Sequence, residues 1–112
     1  ARTQAIVKKT HRRGIKMSEK YLLMYYPPRK DFTKNQTPEE SEAVGRHFQY
    51  LKNLHEKKIV QMAGRVEDAR FGIALLSVDN EKQAKEIMDN DPAVMAKVFK
   101  AELLPFMVAL MK

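Results

Sequence analysis

The order of the patterned segments constrains this chain more than anything else: strand, helix, strand, strand, helix, strand. The first strand is Tyr21-Leu22-Leu23-Met24-Tyr25-Tyr26, closed by Pro27-Pro28, which cannot continue a hydrogen-bonded ladder. Its near-continuous apolar character implies cover on both faces. A polar stretch runs to Gln36. Thr37, Pro38 and Glu40 then mark a helix start, with a capping residue, proline at the first helical position and a capping-box glutamate. Val44, Phe48, Leu51, Leu54 and His55 recur at helical spacing, which places His47 at the rim of that stripe. Residues 59–66 and 71–78 read as strands joined by Glu67-Asp68-Ala69-Arg70. Asn80, with Gln83 three residues on, caps a second helix whose Ala84, Ile87 and Met88 face inward. Asp91-Pro92 ends it, because the residue before proline avoids helical geometry. Residues 98–107 supply a last strand, and Pro105 marks it as an edge or an end.

A β-α-β-β-α-β order is the ferredoxin-like split βαβ arrangement, an α+β sandwich with both helices on one sheet face. The other face, expected to carry residues such as Leu23, Leu75 or Phe99, needs cover. A homodimer packing sheet on sheet supplies it. The apolar run Phe106-Met107-Val108-Ala109-Leu110-Met111 is expected to pack across such an interface, or in a higher homo-oligomer.

With 112 residues, the chain holds one domain. Its net charge of +7 would invite a nucleic-acid partner, were the charge spread over the fold. It is not. Residues 1–16 carry six basic side chains and no acidic one, leaving 15 basic against 14 acidic in the remainder. Residues 1–16 therefore read as a basic extension, either upstream of the domain or foreign to it, in which Gln4-Ala5-Ile6-Val7 could add a short strand. Met17 looks like a natural start, so the domain is taken as 17–112. A near-neutral body without a base-stacking motif argues against nucleic acid. Cysteine is absent, which removes disulfides, thiolate metal sites and a cysteine nucleophile. No apolar run approaches the roughly 18 residues of a membrane span, and the leader lacks a secretory apolar core. The expectation is a soluble, cytoplasmic protein without a membrane partner.

His47 is the best candidate general acid or base, since imidazole titrates near neutrality. The plain alternative is a boundary histidine packed on Phe48 and Leu51. Asp91 before proline looks like a helix N-cap for the turn through Met95. One carboxylate oxygen can cap while the other meets His47, so the two roles are compatible. His55, two turns beyond His47, could line the same cleft or simply end the helix. Histidines eight apart on a helix lie ~12 Å apart along the axis, too far to share an ion, so no metal is expected. Tyr26 and Arg65 are candidates for flanking the cleft and binding substrate, or are ordinary strand-end residues. Gly64 either allows close backbone approach or makes a turn. No phosphate loop, nucleophile elbow or dinucleotide fingerprint is present, so no cofactor is expected.

Three blocks carry a resemblance to a known family. They are Tyr21-Leu22-Leu23-Met24-Tyr25-Tyr26; the run from His47 to Glu56 with Ala63-Gly64 beyond it; and Asp91-Pro92-Ala93-Val94 leading to Leu104-Pro105-Phe106. In order and spacing, over about residues 20–106, the chain resembles the YciI-like family of YCII-related domains. The resemblance implies a dimeric α+β barrel of ferredoxin-like halves. It also implies a cleft lined by a histidine and an aspartate, which by position are His47 and Asp91. Most members have no assigned reaction, although one branch is a lyase that removes chloride from a chlorinated hydroxyquinol. Two departures stand out. Arg65 occupies the place of a usual proline, and Lys57-Lys58 the place of a frequent glycine after the first helix. Arg65 either lies beside the cleft, where it would favour an anionic ligand, or simply faces solvent.

The reading is therefore a small cofactor-independent enzyme, a candidate lyase or isomerase acting on a small metabolite. The alternative is a non-catalytic small-ligand-binding or assembly module on the same dimeric fold.

Overall fold

The computed structural model describes residues 19–112, so the leader 1–16 and its candidate strand lie outside the described residues. In chain order the elements are β1 (Glu19–Tyr26), α1 (Pro38–Glu56), β2 (Val60–Arg65), β3 (Gly72–Val78), α2 (Glu81–Asp89), α3 (Pro92–Met95) and β4 (Lys100–Pro105). A 3-10 turn, Phe32–Lys34, precedes α1. The strands form one antiparallel sheet in the order β2-β3-β1-β4. This is the ferredoxin-like α+β sandwich.

The helix starts follow the capping logic. Thr37 Oγ1 accepts the Glu40 N–H at 3.1 Å, and Glu40 Oε1 accepts the Thr37 N–H at 2.9 Å. Arg29 clamps that glutamate with both guanidinium ends, at 2.8 and 2.6 Å, and holds the Glu40 carboxyl at about 2. The same guanidinium sits 5.3 Å above the Phe32 ring, tying the 3-10 turn to the start of α1. Asn80 Oδ1 accepts the Gln83 N–H at 2.9 Å and opens α2.

In β1, Tyr21, Leu23 and Tyr25 are buried and belong to the helix-side core with Ala74, Leu76 and Leu103. The alternation has the opposite phase from that expected of Leu23. A run apolar at every position does not reveal its own phase, and burial under α1 and α2 decides it. The other sheet face carries Leu22, opposite Leu75 and Leu104, and Met62, opposite Leu75. Of the three residues expected there, Leu75 is on that face. Phe99 is not: it precedes β4 and packs on the helix side against Tyr25 and His47. Between Val60 and Met62 the register shifts, and this bulge returns Met62 to the open face while Val60 stays in the core.

The stripe buried by α1 is Ala43, His47, Tyr50, Leu51 and Leu54, rotated from the expected Val44, Phe48, Leu51, Leu54 and His55. His47 therefore faces inward, and Phe48 is 66% exposed. The C-terminal segment is largely exposed in the single chain, with Met107 at 92% and Leu110 at 95%. Among the described residues no helix is long and apolar enough to cross a membrane.

α1 ends in a Schellman motif. The Lys58 N–H reaches the His55 carbonyl and the Ile59 N–H reaches the Leu54 carbonyl, both at 2.9 Å. Lys58 has φ 65°, the left-handed position that favours glycine. Lys97 repeats the arrangement after α3 with φ 61°. A lysine in that region is strained by about 1–2 kcal/mol, part of which glycine returns as unfolded-chain entropy. Lys58→Gly is expected to raise the unfolding free energy by about 0.5–1 kcal/mol, read as a higher midpoint in urea with an unchanged slope.

Candidate active site

Two chain features bring the site together. α2 stops at Asp89, Asn90 caps it, and Asp91 adopts an extended backbone before Pro92. From there Asp91 N-caps α3 by accepting the Ala93 N–H on Oδ1 at 2.9 Å. Its side chain is wholly buried. On the facing helix, the inward position of His47 carries Nδ1 to 2.9 Å from Asp91 Oδ1 and 2.7 Å from Oδ2. Tyr25, on central strand β1, donates its hydroxyl to Oδ2 at 2.9 Å. One carboxylate thus caps a helix, holds a phenol and meets an imidazole. A carboxylate without a proton only accepts, so the Nδ1 facing it is the nitrogen that carries hydrogen. In a neutral ring the lone pair then resides on Nε2.

The imidazole is held on two sides. Tyr25 packs against it with centroids 4.6 Å apart at 80°, and Phe99 at 5.1 Å and 81°. The His47 side chain keeps 14% of its surface exposed, on a cleft of about 350 Å³. Tyr50 pins α1 to α2 by donating to the Ile87 carbonyl at 2.8 Å. Burial, reinforced by the Asp91 charge, pushes the Tyr25 phenol well above its ordinary range and Tyr50 up to about 12. Both therefore stay protonated in the folded chain at a pH where unfolded tyrosine ionises, near 10. A raised value stabilises the fold fully below pH about 10 and progressively less as pH climbs towards 12. Equilibrium unfolding between pH 9 and 11.5 is expected to show stability falling above pH 10, with the fall reduced in Tyr50→Phe.

The cleft walls are largely aromatic and apolar. Phe32, Phe48, Phe71 and Phe99 contribute rings, with Val44 and Leu51 between them. Gly72 lies opposite Tyr25 in the sheet. A Cβ there would sit 3.1 Å from the Gly64 carbonyl oxygen, so glycine permits the close strand approach at the cleft floor. Gly64 and Arg65 line the cleft. A Cβ on Gly64 would meet open space, so packing does not demand glycine there. The Arg65 guanidinium turns back to its own hairpin, donating to the Val66 and Glu67 carbonyls at 3.3 and 3.0 Å.

Tyr26 stands apart from this cleft. Period-two alternation sends it to the sheet face opposite Tyr25, where its hydroxyl donates to Glu102 at 2.9 Å. It lines a separate surface depression with Arg29 and Arg70. His55 is an exposed helix-end residue whose Nδ1 meets the Val60 carbonyl at 2.8 Å. Among the described residues, no group of three or more His, Cys, Asp or Glu side chains is arranged to hold a metal.

Sequence reasoning did not single out Tyr25, Phe99 or Gly72 for the site. A signal existed for Tyr25: with Tyr21 and Leu23 it forms a period-two set, and a tyrosine on the buried set needs a partner for its hydroxyl. Phe99 and Gly72 carried no such signal.

The family profile of the YCII-related domain matches residues 20–106. Among solved structures, the chain is similar to the 5-chloro-2-hydroxyhydroquinone dehydrochlorinase (TftG) from Burkholderia phenoliruptrix AC1100, solved in complex with 2,5-dihydroxybenzoquinone. The two share 16% identity at a TM-score of 0.58, over 78% of this chain and 93% of that one. No curated protein matches the chain significantly by sequence.

Proposed function

The chain belongs to the YCII-related domain family, and from the geometry of its buried pair we propose that it is a small cofactor-independent enzyme moving a proton on a small metabolite, by elimination or isomerisation. The observation that carries this reading is His47 Nδ1 at 2.7 Å from a fully buried Asp91, on an apolar cleft. Asp91 orients the ring, and His47 Nε2 serves as the general base; in an isomerisation it returns the proton to another atom of the substrate, and in an elimination it passes the proton to solvent as the leaving group departs with its electron pair. Aromatic walls suit a planar ring, and low local polarity strengthens the imidazole's interaction with an acidic ring hydroxyl. The backbone around Gly64 and a re-aimed Arg65 receive the substrate's oxygen atoms. The folding unit of this activity is 17–112, and a homodimer covers the open sheet face.

TftG, a dehydrochlorinase solved with 2,5-dihydroxybenzoquinone, supplies the first probe. Titration of this chain with that quinone is expected to give saturable binding that changes little in His47→Gln, the variant in which turnover is lost. The accompanying assay follows chloride release from chlorinated hydroxyquinols, and proton exchange or isomerisation of other small phenols. Binding without turnover across that panel would leave the non-catalytic ligand-binding reading in place.

A further inference from the structure

We propose that Tyr25 is a positioning residue for the His47–Asp91 pair: its hydroxyl fixes the rotation of the Asp91 carboxylate, and its ring fixes the plane of the imidazole. The inference rests on the reading of that pair as the reactive one.

Tyr25 touches both members. It donates to Asp91 Oδ2 at 2.9 Å, and its ring packs edge-on to His47 at 4.6 Å. The residue is almost fully buried, on a strand paired on both sides, opposite Gly72 and Ala101. Those two small neighbours leave the ring its place on the helix-side face. Asp91 Oδ1 is held by the Ala93 N–H and Oδ2 by Tyr25, while His47 Nδ1 meets both oxygens. A carboxylate anchored at one oxygen can still swing about its Cβ–Cγ bond; anchored at both, it cannot. The imidazole then faces a fixed acceptor pair, which selects the Nδ1–H tautomer and leaves Nε2 as the basic nitrogen. Burial keeps the Tyr25 phenol protonated, so it remains a donor to Asp91 and does not become a second acceptor competing for the Nδ1 hydrogen.

The test is the nitrogen-15 spectrum of the His47 ring at mildly alkaline pH, in the wild type, Tyr25→Phe and Asp91→Asn, with thermal unfolding as the folding control. The wild type is expected to show one pyrrole-like Nδ1 and one pyridine-like Nε2. In a folded Tyr25→Phe the Asp91 carboxylate, released at Oδ2, is expected to turn away from Nδ1 for part of the time, so that the two shifts move towards one another, the signature of mixed tautomers, which a merely structural role for the hydroxyl would not produce. A wild-type pattern in Tyr25→Phe together with interchanged or converged shifts in Asp91→Asn overturns the role of Tyr25 and leaves the pair intact. A wild type with hydrogen on Nε2, or an Asp91→Asn spectrum identical to it, overturns the pair and this proposal together. Should Tyr25→Phe not fold, the unmutated chain decides. A slowly exchanging tyrosine hydroxyl proton with cross-relaxation to the His47 ring supports the assignment, and its absence overturns it.

Discussion

Asp91→Ala is expected to lower the unfolding free energy by about 3–5 kcal/mol, a loss large enough to move the melting temperature by tens of degrees in a domain of this size. Three donors converge on the carboxylate: the Ala93 N–H, the Tyr25 hydroxyl and His47 Nδ1. Removing it strands the first two in a buried site, each at about 1–3 kcal/mol, the Ala93 N–H being the one that Asp91 caps at the start of α3. Alanine also leaves a gap that the surrounding strand and helices do not readily close. Were Asp91 a helix cap alone, the loss would be near 1 kcal/mol. Magnitude therefore separates the two readings. Urea unfolding with an unchanged slope measures it, and a loss of 1 kcal/mol or less would show that neither Tyr25 nor His47 depends on this carboxylate for stability.

The parts of the fold that were legible in the sequence were those carried by local chemistry. Thr37 with Glu40 marks a helix start whatever surrounds it, because both hydrogen bonds close within four residues. Asn80 with Gln83 and Asp91 before Pro92 behave alike, and the order of elements follows from them. Asp91 could be read as a cap able to spare an oxygen for His47, and the structure contains both contacts. What depended on tertiary context was hidden. The inward face of α1 lies about one residue away from the apolar stripe, because Phe48 stands at the rim of a cleft and not in the core. A stripe analysis assigns every large apolar residue to the interior and cannot foresee a cavity. The phase of β1 was hidden for a related reason. With apolar or aromatic residues at six successive positions, either alternate set could face the helices, and only their packing puts Tyr25 beside His47 and Tyr26 beside Glu102. Left-handed Lys97 gave no sign either, and Lys58 gave one only through the family's frequent glycine at that place, since lysine does not announce a position that glycine would.

His47→Gln is expected to separate chemistry from structure. The glutamine amide can still donate to Asp91 and roughly fills the ring's space, yet it cannot accept and return a proton near neutrality. Turnover of any phenolic substrate of the chain is therefore expected to fall about 10²–10⁴-fold in kcat, the usual worth of a positioned acid or base. KM should change far less, because the aromatic walls that hold the ring, Phe32, Phe71 and Phe99, are untouched. Stability should also change little compared with Asp91→Ala, since the carboxylate keeps its other two donors and glutamine supplies a third. Asp91→Asn makes a sharper comparison. An asparagine side chain can present its NH₂ to the imidazole, which favours hydrogen on Nε2 and points the wrong nitrogen at the substrate while every atom stays in place. A kcat loss in Asp91→Asn similar to that in His47→Gln would mean that the tautomer, and not the mere presence of the ring, limits the reaction. If kcat instead held in both variants while KM rose, His47 would be a binding contact, and proton transfer would have to be sought elsewhere in the cleft.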